Sequence, residues 1–359
     1  MNFNGIFVGA VILAMSCEAS AQVADNAAAA EATSSPGSVA EPYNFKDPGV
    51  FARVLAERGI EFVSKYDFKG CLARDKQDNC LPTGYIDAVE KGEPWESAWK
   101  AELAIRNQDL MGADKLLRKL RKRYPNNSKI RWLMAKSIFF RTEVMDKDAK
   151  KVKGKLLAEG VQWAKECVDM APKDINCLLH YGTLVGRSST NEGIFNTLSK
   201  GAVVEGAWLG AVSTGEHYRF PSANTSLGAT YYGLGIYYRL VPDSWWLDLF
   251  FGIRGDIERA IKYLERALGT KADQVELYTE LAAANFCKYT REDSETAKEA
   301  AHRWISRCEK LKAKDPLNEI SKRHCSMLKT DPDLGCGYSR DGQQETDIEN
   351  AKKNNPTKK

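Results

Sequence analysis

Residues 226–268 read SLGATYYGLGIYYRLVPDSWWLDLFFGIRGDIERAIKYLERAL, two helical patterns on either side of an aromatic insertion. In the second pattern Ile257, Ala260, Ile261, Leu264, Ala267 and Leu268 recur at helical spacing. They form one apolar stripe, and charged residues fill the rest of the helix. Gly255-Asp256 supplies a break and an N-cap, and Glu258 suits the positive end of the helix dipole. Small residues at 235 and 260 let two helices approach closely, and Leu264 is expected to fill the space between repeats.

This arrangement resembles a tetratricopeptide (TPR) hairpin. Leu234, Gly235 and Tyr238 match its first-helix signature, and Ala260, Leu264 and Ala267 match the second. The resemblance implies an all-α fold, an α-solenoid of TPR-like helical hairpins, because no single hairpin buries its apolar side alone. Upstream, Ala113, Leu117, Leu120 and Pro125 suit a second helix, and Trp132, Ala135 and Ile138 point inward from a first helix at 128–140. The interval from Pro125 to Pro172 exceeds the TPR period of about 34 residues by about 13, an excess assigned to the polar stretch around 143–155, a lengthened hairpin. Leu178, Tyr181, Gly182 and Val185 then fall in register. Residues 187–227 predict one long helix and a loop ending at Pro221. Downstream, Leu281 and Ala282 occupy first-helix positions, Ala297, Ala301, Trp304, Cys308 and Leu311 stripe a second helix, and 316–328 reads as a capping helix.

The chain has 359 residues, 43% of them hydrophobic, and its 52 basic and 48 acidic residues leave a net charge of +4. That balance argues against a dedicated nucleic-acid binder. Residues 6–16 are an apolar run too short to span a bilayer, and Ala19-Ser20-Ala21 forms an A-x-A cleavage site. Residues 1–21 therefore predict a signal peptide and export, with a periplasmic location. The rival is a lipobox at Ala14-Met15-Ser16-Cys17, which would make the protein a lipoprotein acylated at Cys17 and place it on a membrane. Residues 22–41 are a flexible linker, 42–94 an N-terminal helical segment with a disulfide loop, 95–330 the repeat domain and 331–359 a mostly disordered tail.

Nine cysteines less Cys17 leave an even number, as in an oxidising compartment. Cys71 and Cys80 close a short polar loop. Cys167 and Cys177 lie symmetrically about the turn at Pro172 and so face each other in an antiparallel hairpin. Cys287 and Cys308 should not bond. The antiparallel neighbour of Cys287 falls near 295, and 13 further residues of helix are about 20 Å, against the ~7 Å a disulfide allows. Cys308 with Cys325 and Cys287 with Cys336 is the expected pairing. Cys287 with Cys325 and Cys308 with Cys336 stays open, and a local Cys325–Cys336 bond is allowed only if Cys287 and Cys308 remain thiols.

The repeat pattern resembles two related TPR-like groups, the T-component of TRAP transporters and the regulator-of-microtubule-dynamics group. The resemblance covers 172–312. It rests on 178–186, on the Leu-Gly-x-x-Tyr of 234–238, and on Gly255-Asp256 running into Ala260, Leu264 and Ala267. The T-component group implies a solute-binding protein as partner and an apolar pocket or channel inside the helical body.

The residues expected to bind a ligand or partner are Tyr231, Tyr232, Tyr237, Trp245, Trp246, Phe250 and His217. Trp and Tyr dominate interface hot spots. The same aromatics also suit a lid packed on the repeats. The four histidines, His180, His217, His302 and His324, lack metal-ligand spacing. The run Lys115, Arg118, Lys119, Arg121, Lys122, Arg123 is the solvated side of a helix, able to attract an acidic protein or anionic lipid heads. No phosphate loop, nucleophile elbow or zincin motif is present, so no catalytic residue and no cofactor is expected. Non-catalytic protein binding, as an accessory of solute uptake, is the expected function. An apolar ligand pocket is its rival.

Overall fold

A computed structural model of the chain describes residues 73–74, 80–81, 94–145, 149–192, 194–215, 218, 225–270, 275–313 and 316–338. The predicted signal peptide and linker, Cys71, His217 and the tail from 339 lie outside them. Cys80 is described by its backbone alone, so the Cys71–Cys80 bond is not addressed.

Apart from a two-residue antiparallel ladder, β1 (Ala73–Arg74) with β2 (Cys80–Leu81), the described chain is helical. The helices are α1 (Trp95–Arg106), α2 (Leu110–Arg123), α3 (Ser128–Glu143), α4 (Lys150–Met170), α5 (Ile175–Glu192), α6 (Ile194–Ser213), α7 (Ser226–Leu240), α8 (Trp245–Phe251), α9 (Ile257–Thr270), α10 (Val275–Glu292), α11 (Glu295–Lys310) and α12 (Pro316–Thr330). A 3₁₀ turn, Pro332–Gly335, follows. The pairs α1/α2, α3/α4, α5/α6, α7/α9 and α10/α11 are hairpins. Each first helix also touches the next, in the row α1, α3, α5, α7, α10. This is the predicted solenoid.

Local chemistry sets the helix starts. Side chains of Asp109, Asn127, Thr225, Asp256 and Ser294 accept the backbone N–H three residues on, satisfying donors that the helix leaves open. The glycine at 235 is required by packing. A Cβ there would stand 2.5 Å from Leu264 Cγ and 3.1 Å from the Ala260 carbonyl oxygen. Leu264 thus fills a hollow inside its own hairpin that Gly235 leaves open.

The hairpin α3/α4 is lengthened as expected: residues 150–155 are helical, so the excess length before Pro172 goes largely into α4, which buries Lys153 and Leu157 in its first turns. One boundary differs from expectation. Residues 187–192 continue α5, and α6 begins at Ile194. The folded body also runs past 330: Leu334, Gly335, Cys336 and Tyr338 are buried on α10 and α12.

The core has two parts. One lies among α1–α5, and the other extends from α5 to the C-terminal turn. Tyr181 and Trp208 pack against both and join them. Three disulfides bind neighbouring elements. Cys167–Cys177 has Cα atoms 5.2 Å apart across the α4–α5 turn, Cys308–Cys325 spans 6.6 Å between α11 and α12, and Cys287–Cys336 spans 4.4 Å between α10 and the C-terminal turn. The expected pairing is the one formed, and the alternative with Cys287 on Cys325, which helix length had left open, is not.

Candidate functional site: the α8 surface and the tyrosine cluster

The insertion is cinched at its base. Gly255 N–H donates to the Pro242 carbonyl at 3.1 Å, Asp256 N–H donates to the Tyr238 carbonyl at 2.9 Å, and Arg254 pairs with Asp243 at 2.7 Å. Gly255 has no room for a side chain, since a Cβ would fall 1.8 Å from the Val241 carbonyl oxygen. Gly252, at φ 63°, ends α8 in the left-handed conformation that glycine adopts without strain.

Within this loop α8 turns Leu247 inward, and Ile253 follows it against α6, where Gly201 makes room. The opposite side is open. Trp245 is 70% exposed, Trp246 44%, Leu249 67% and Phe250 72%.

The tyrosines occupy a different environment. Tyr231, Tyr237 and Tyr238 are buried, and Tyr232 is half-buried. Tyr237 donates its hydroxyl to Glu205 of α6 at 3.3 Å, and Tyr238 donates to the other oxygen of the same carboxylate. Burial first, then the Glu205 charge, pushes both phenols above their usual range, so they stay protonated donors. Tyr263 stacks on Tyr231 and Tyr238, with Arg259 over Tyr238 at 4.4 Å and Arg266 over Tyr231 and Tyr263. This ladder fastens α7 to α9, and Glu205 fastens α7 to α6. The seven candidates therefore separate. Tyr231 and Tyr237 are core, Tyr232 is half-buried beside them, Trp245, Trp246 and Phe250 form a surface, and His217 lies outside the described residues. Tyr231, Tyr237, Trp245 and Phe250 do not line one enclosed pocket, because the last two project into solvent.

A buried polar group among the first helices was not foreseen. Lys136 of α3 donates to Glu102 of α1 at 2.6 Å, and the Tyr218 hydroxyl donates to the other Glu102 oxygen at 2.8 Å. His180 of α5 stacks on Trp132 at 5.6 Å, and Tyr218 meets that indole edge-on. The only sequence signal was a lysine inside the apolar run of 130–140, which helical periodicity would send to the surface. Tyr218 covers α1 and α3, and the C-terminal turn covers α7 and α10, so chain segments already occupy parts of the first-helix row.

Burial, and next the Lys136 charge, lowers the His180 pKa from 6.5 to about 3. A base with a depressed folded pKa binds fewer protons folded than unfolded. Its contribution is therefore intact above 6.5 and lost as pH falls from 6.5 towards 3. Urea midpoints should drop over that window, and His180→Gln should flatten the drop. An unchanged slope in the variant would place the acid sensitivity elsewhere.

Among the described residues no group of three or more His, Cys, Asp or Glu side chains could hold a metal ion, and no helix is long and apolar enough to cross a membrane.

No curated protein matches the chain. The T-component resemblance finds no counterpart in the family comparison. The family match lies further towards the N-terminus than the expected 172–312, and α8 falls outside it. The Leu-Gly-x-x-Tyr packing signature at 234–238 is common to TPR-like hairpins, so it does not mark a family. Residues 99–219, from within α1 to just past α6, are similar to the family of regulator of microtubule dynamics protein 1-3.

Proposed function

We propose that this chain is an exported, non-catalytic binding protein that docks a protein partner on the outward side of α8. One observation carries the reading: four large apolar side chains stand together in solvent on a helix whose base is rigidly closed. At 150–250 Å² for an aromatic side chain, the patch is on the order of 500 Å², the size at which exposed apolar surface on a monomer is commonly functional. Trp245 and Phe250 are the anchors, suited to a groove on the partner. Asp248 beside them disfavours anionic lipid heads, while Asp243 is neutralised by Arg254. A solute-binding protein of the periplasm, with this chain as its accessory, is the partner class proposed. The likeness of 99–219 to a helical family supports a binding role in general, without naming the partner.

The test is affinity purification from the native envelope with the parent chain and with Trp245→Ala/Phe250→Ala. A partner recovered with the parent should fall at least about tenfold with the variant, as for a double hot-spot loss. Equal recovery with both, or recovery of a co-purifying small apolar molecule instead of a protein, would overturn the reading.

A further inference from the structure

The net charge of this protein is local. Residues 95–124 contain eight basic residues (Lys100, Arg106, Lys115, Arg118, Lys119, Arg121, Lys122, Arg123) and four acidic ones (Glu96, Glu102, Asp109, Asp114), a balance of +4 that equals the whole chain's +4. The other residues sum to zero. Within this stretch α2 alone carries six of the cations and one anion.

The structure separates the cations by what they do. Leu110, Ala113, Leu117 and Leu120 bury one side of α2. Arg118 is consumed by Asp114 at 2.9 Å and by Glu159 of α4 at 2.7 Å. The other nearby α4 carboxylate, Glu166, is taken by Arg131 at 2.8 Å. Glu102 is buried on Lys136, and Asp109 caps its own helix. Lys165 and Asp169 of α4 neutralise each other. Lys115, Lys119 and Lys122 are exposed and have no ion-pair partner among the described residues. Two arginines beside them are held in place: Arg121 lies over the Trp163 ring at 4.5 Å and Arg123 over the Tyr124 ring at 5.4 Å. A guanidinium stacked on a ring keeps its N–H edge turned outward, ready for a two-pronged grip on a carboxylate.

We propose that the exposed side of α2 is a docking surface for an acidic protein segment rich in Asp and Glu. It is independent of α8. Three unpaired lysines supply a field that draws the segment in, and Arg121 and Arg123 supply fixed forks that grip individual carboxylates. A flat anionic lipid surface would use the same charge. It fits less well, because two of the five exposed cations lie over rings, and among the described residues Met111 is the only exposed large apolar side chain on α2 available for insertion.

The experiment measures fluorescence anisotropy of a labelled twelve-residue poly-glutamate peptide against the full chain at low and moderate salt. A sedimentation arm uses phosphatidylcholine/phosphatidylserine vesicles. Lys115→Gln/Lys119→Gln/Lys122→Gln should weaken peptide binding about tenfold or more. Lys262→Gln/Lys310→Gln/Lys312→Gln removes the same net charge from other exposed sites and should change it less than about twofold. Arg121→Lys should weaken binding while keeping the charge, which a general field effect would not do. Equal loss in both triple variants would overturn the proposal in favour of net charge alone. Vesicle binding without peptide binding would overturn it in favour of a lipid surface. Absence of binding to either probe would overturn it altogether.

Discussion

Replacing Arg239 with alanine should cost the fold about 3–5 kcal/mol, the range for breaking a buried ion pair from one side. Arg239 stands at the end of α7 with a fully buried side chain, and its partner Glu280 on α10 is 2% exposed. Their contact is 2.7 Å. The same guanidinium donates to the carbonyls of Gly335 at 3.1 Å and Cys336 at 3.3 Å, and lies over the Tyr338 ring at 5.5 Å. Removing it strands a carboxylate and two carbonyls away from water. The effect is read from urea unfolding. Arg239→Met/Glu280→Leu should recover much of the loss, because an apolar pair leaves nothing unsatisfied. A single-variant cost under ~1 kcal/mol would mean that water replaces the arginine and that the C-terminal turn is not held as described.

The Cys287–Cys336 bond should be worth about 4 kcal/mol, from the closure of a loop with a sequence separation of 49 residues. Cys287→Ser/Cys336→Ser is the test, with unfolding followed in the absence of reductant. The turn it fastens is tightly seated: a Cβ on Gly335 would stand 2.7 Å from the Ala283 carbonyl oxygen and 2.8 Å from the Cys287 nitrogen. Arg239 and the disulfide hold the same turn, so their losses should not add. Once the bond is removed and the turn released, Arg239→Ala should cost less than it does in the parent. Strict additivity would show that the two fasten separate parts. Against a typical total stability of 5–15 kcal/mol, either loss is large enough to unfold a substantial fraction of molecules on mild heating.

The repeat architecture was legible because its signals are periodic and local. The stripe from Ile257 to Leu268 could only be one face of a helix, and all of its members pack in the core or against it. The spacing of Cys167 and Cys177 about Pro172, and the helix length that keeps Cys287 from Cys308, were consequences of rise per residue and needed no tertiary knowledge. The lengthening of the hairpin around 143–155 was legible, but its division between turn and helix was not. A lysine-rich stretch suits a solvated turn, and lysine is also a good helix former whose stem can lie along a neighbour.

The candidate site was legible as composition only. Aromatics crowd 231–251, yet periodicity could not say which would face water. The division depends on Glu205, which lies upstream on α6 and draws Tyr237 and Tyr238 inward. It depends also on the closure at Gly255, which turns Trp245 and Phe250 outward. The buried pairs Lys136–Glu102 and Arg239–Glu280 were equally hidden, since each joins residues from different repeats.

Sequence by itself determined the helices, the hairpin stacking and the Cys167–Cys177 pair, and it excluded Cys287–Cys308, because helical rise and apolar period act between near neighbours; the structure chose among the pairings left open for the last four cysteines. Tertiary structure alone decided which aromatics form a surface, which charges are buried and which cations on α2 remain unpaired. Those outcomes depend on partners brought from distant parts of the chain, and a side chain's burial and charge state follow from its partners rather than from its type.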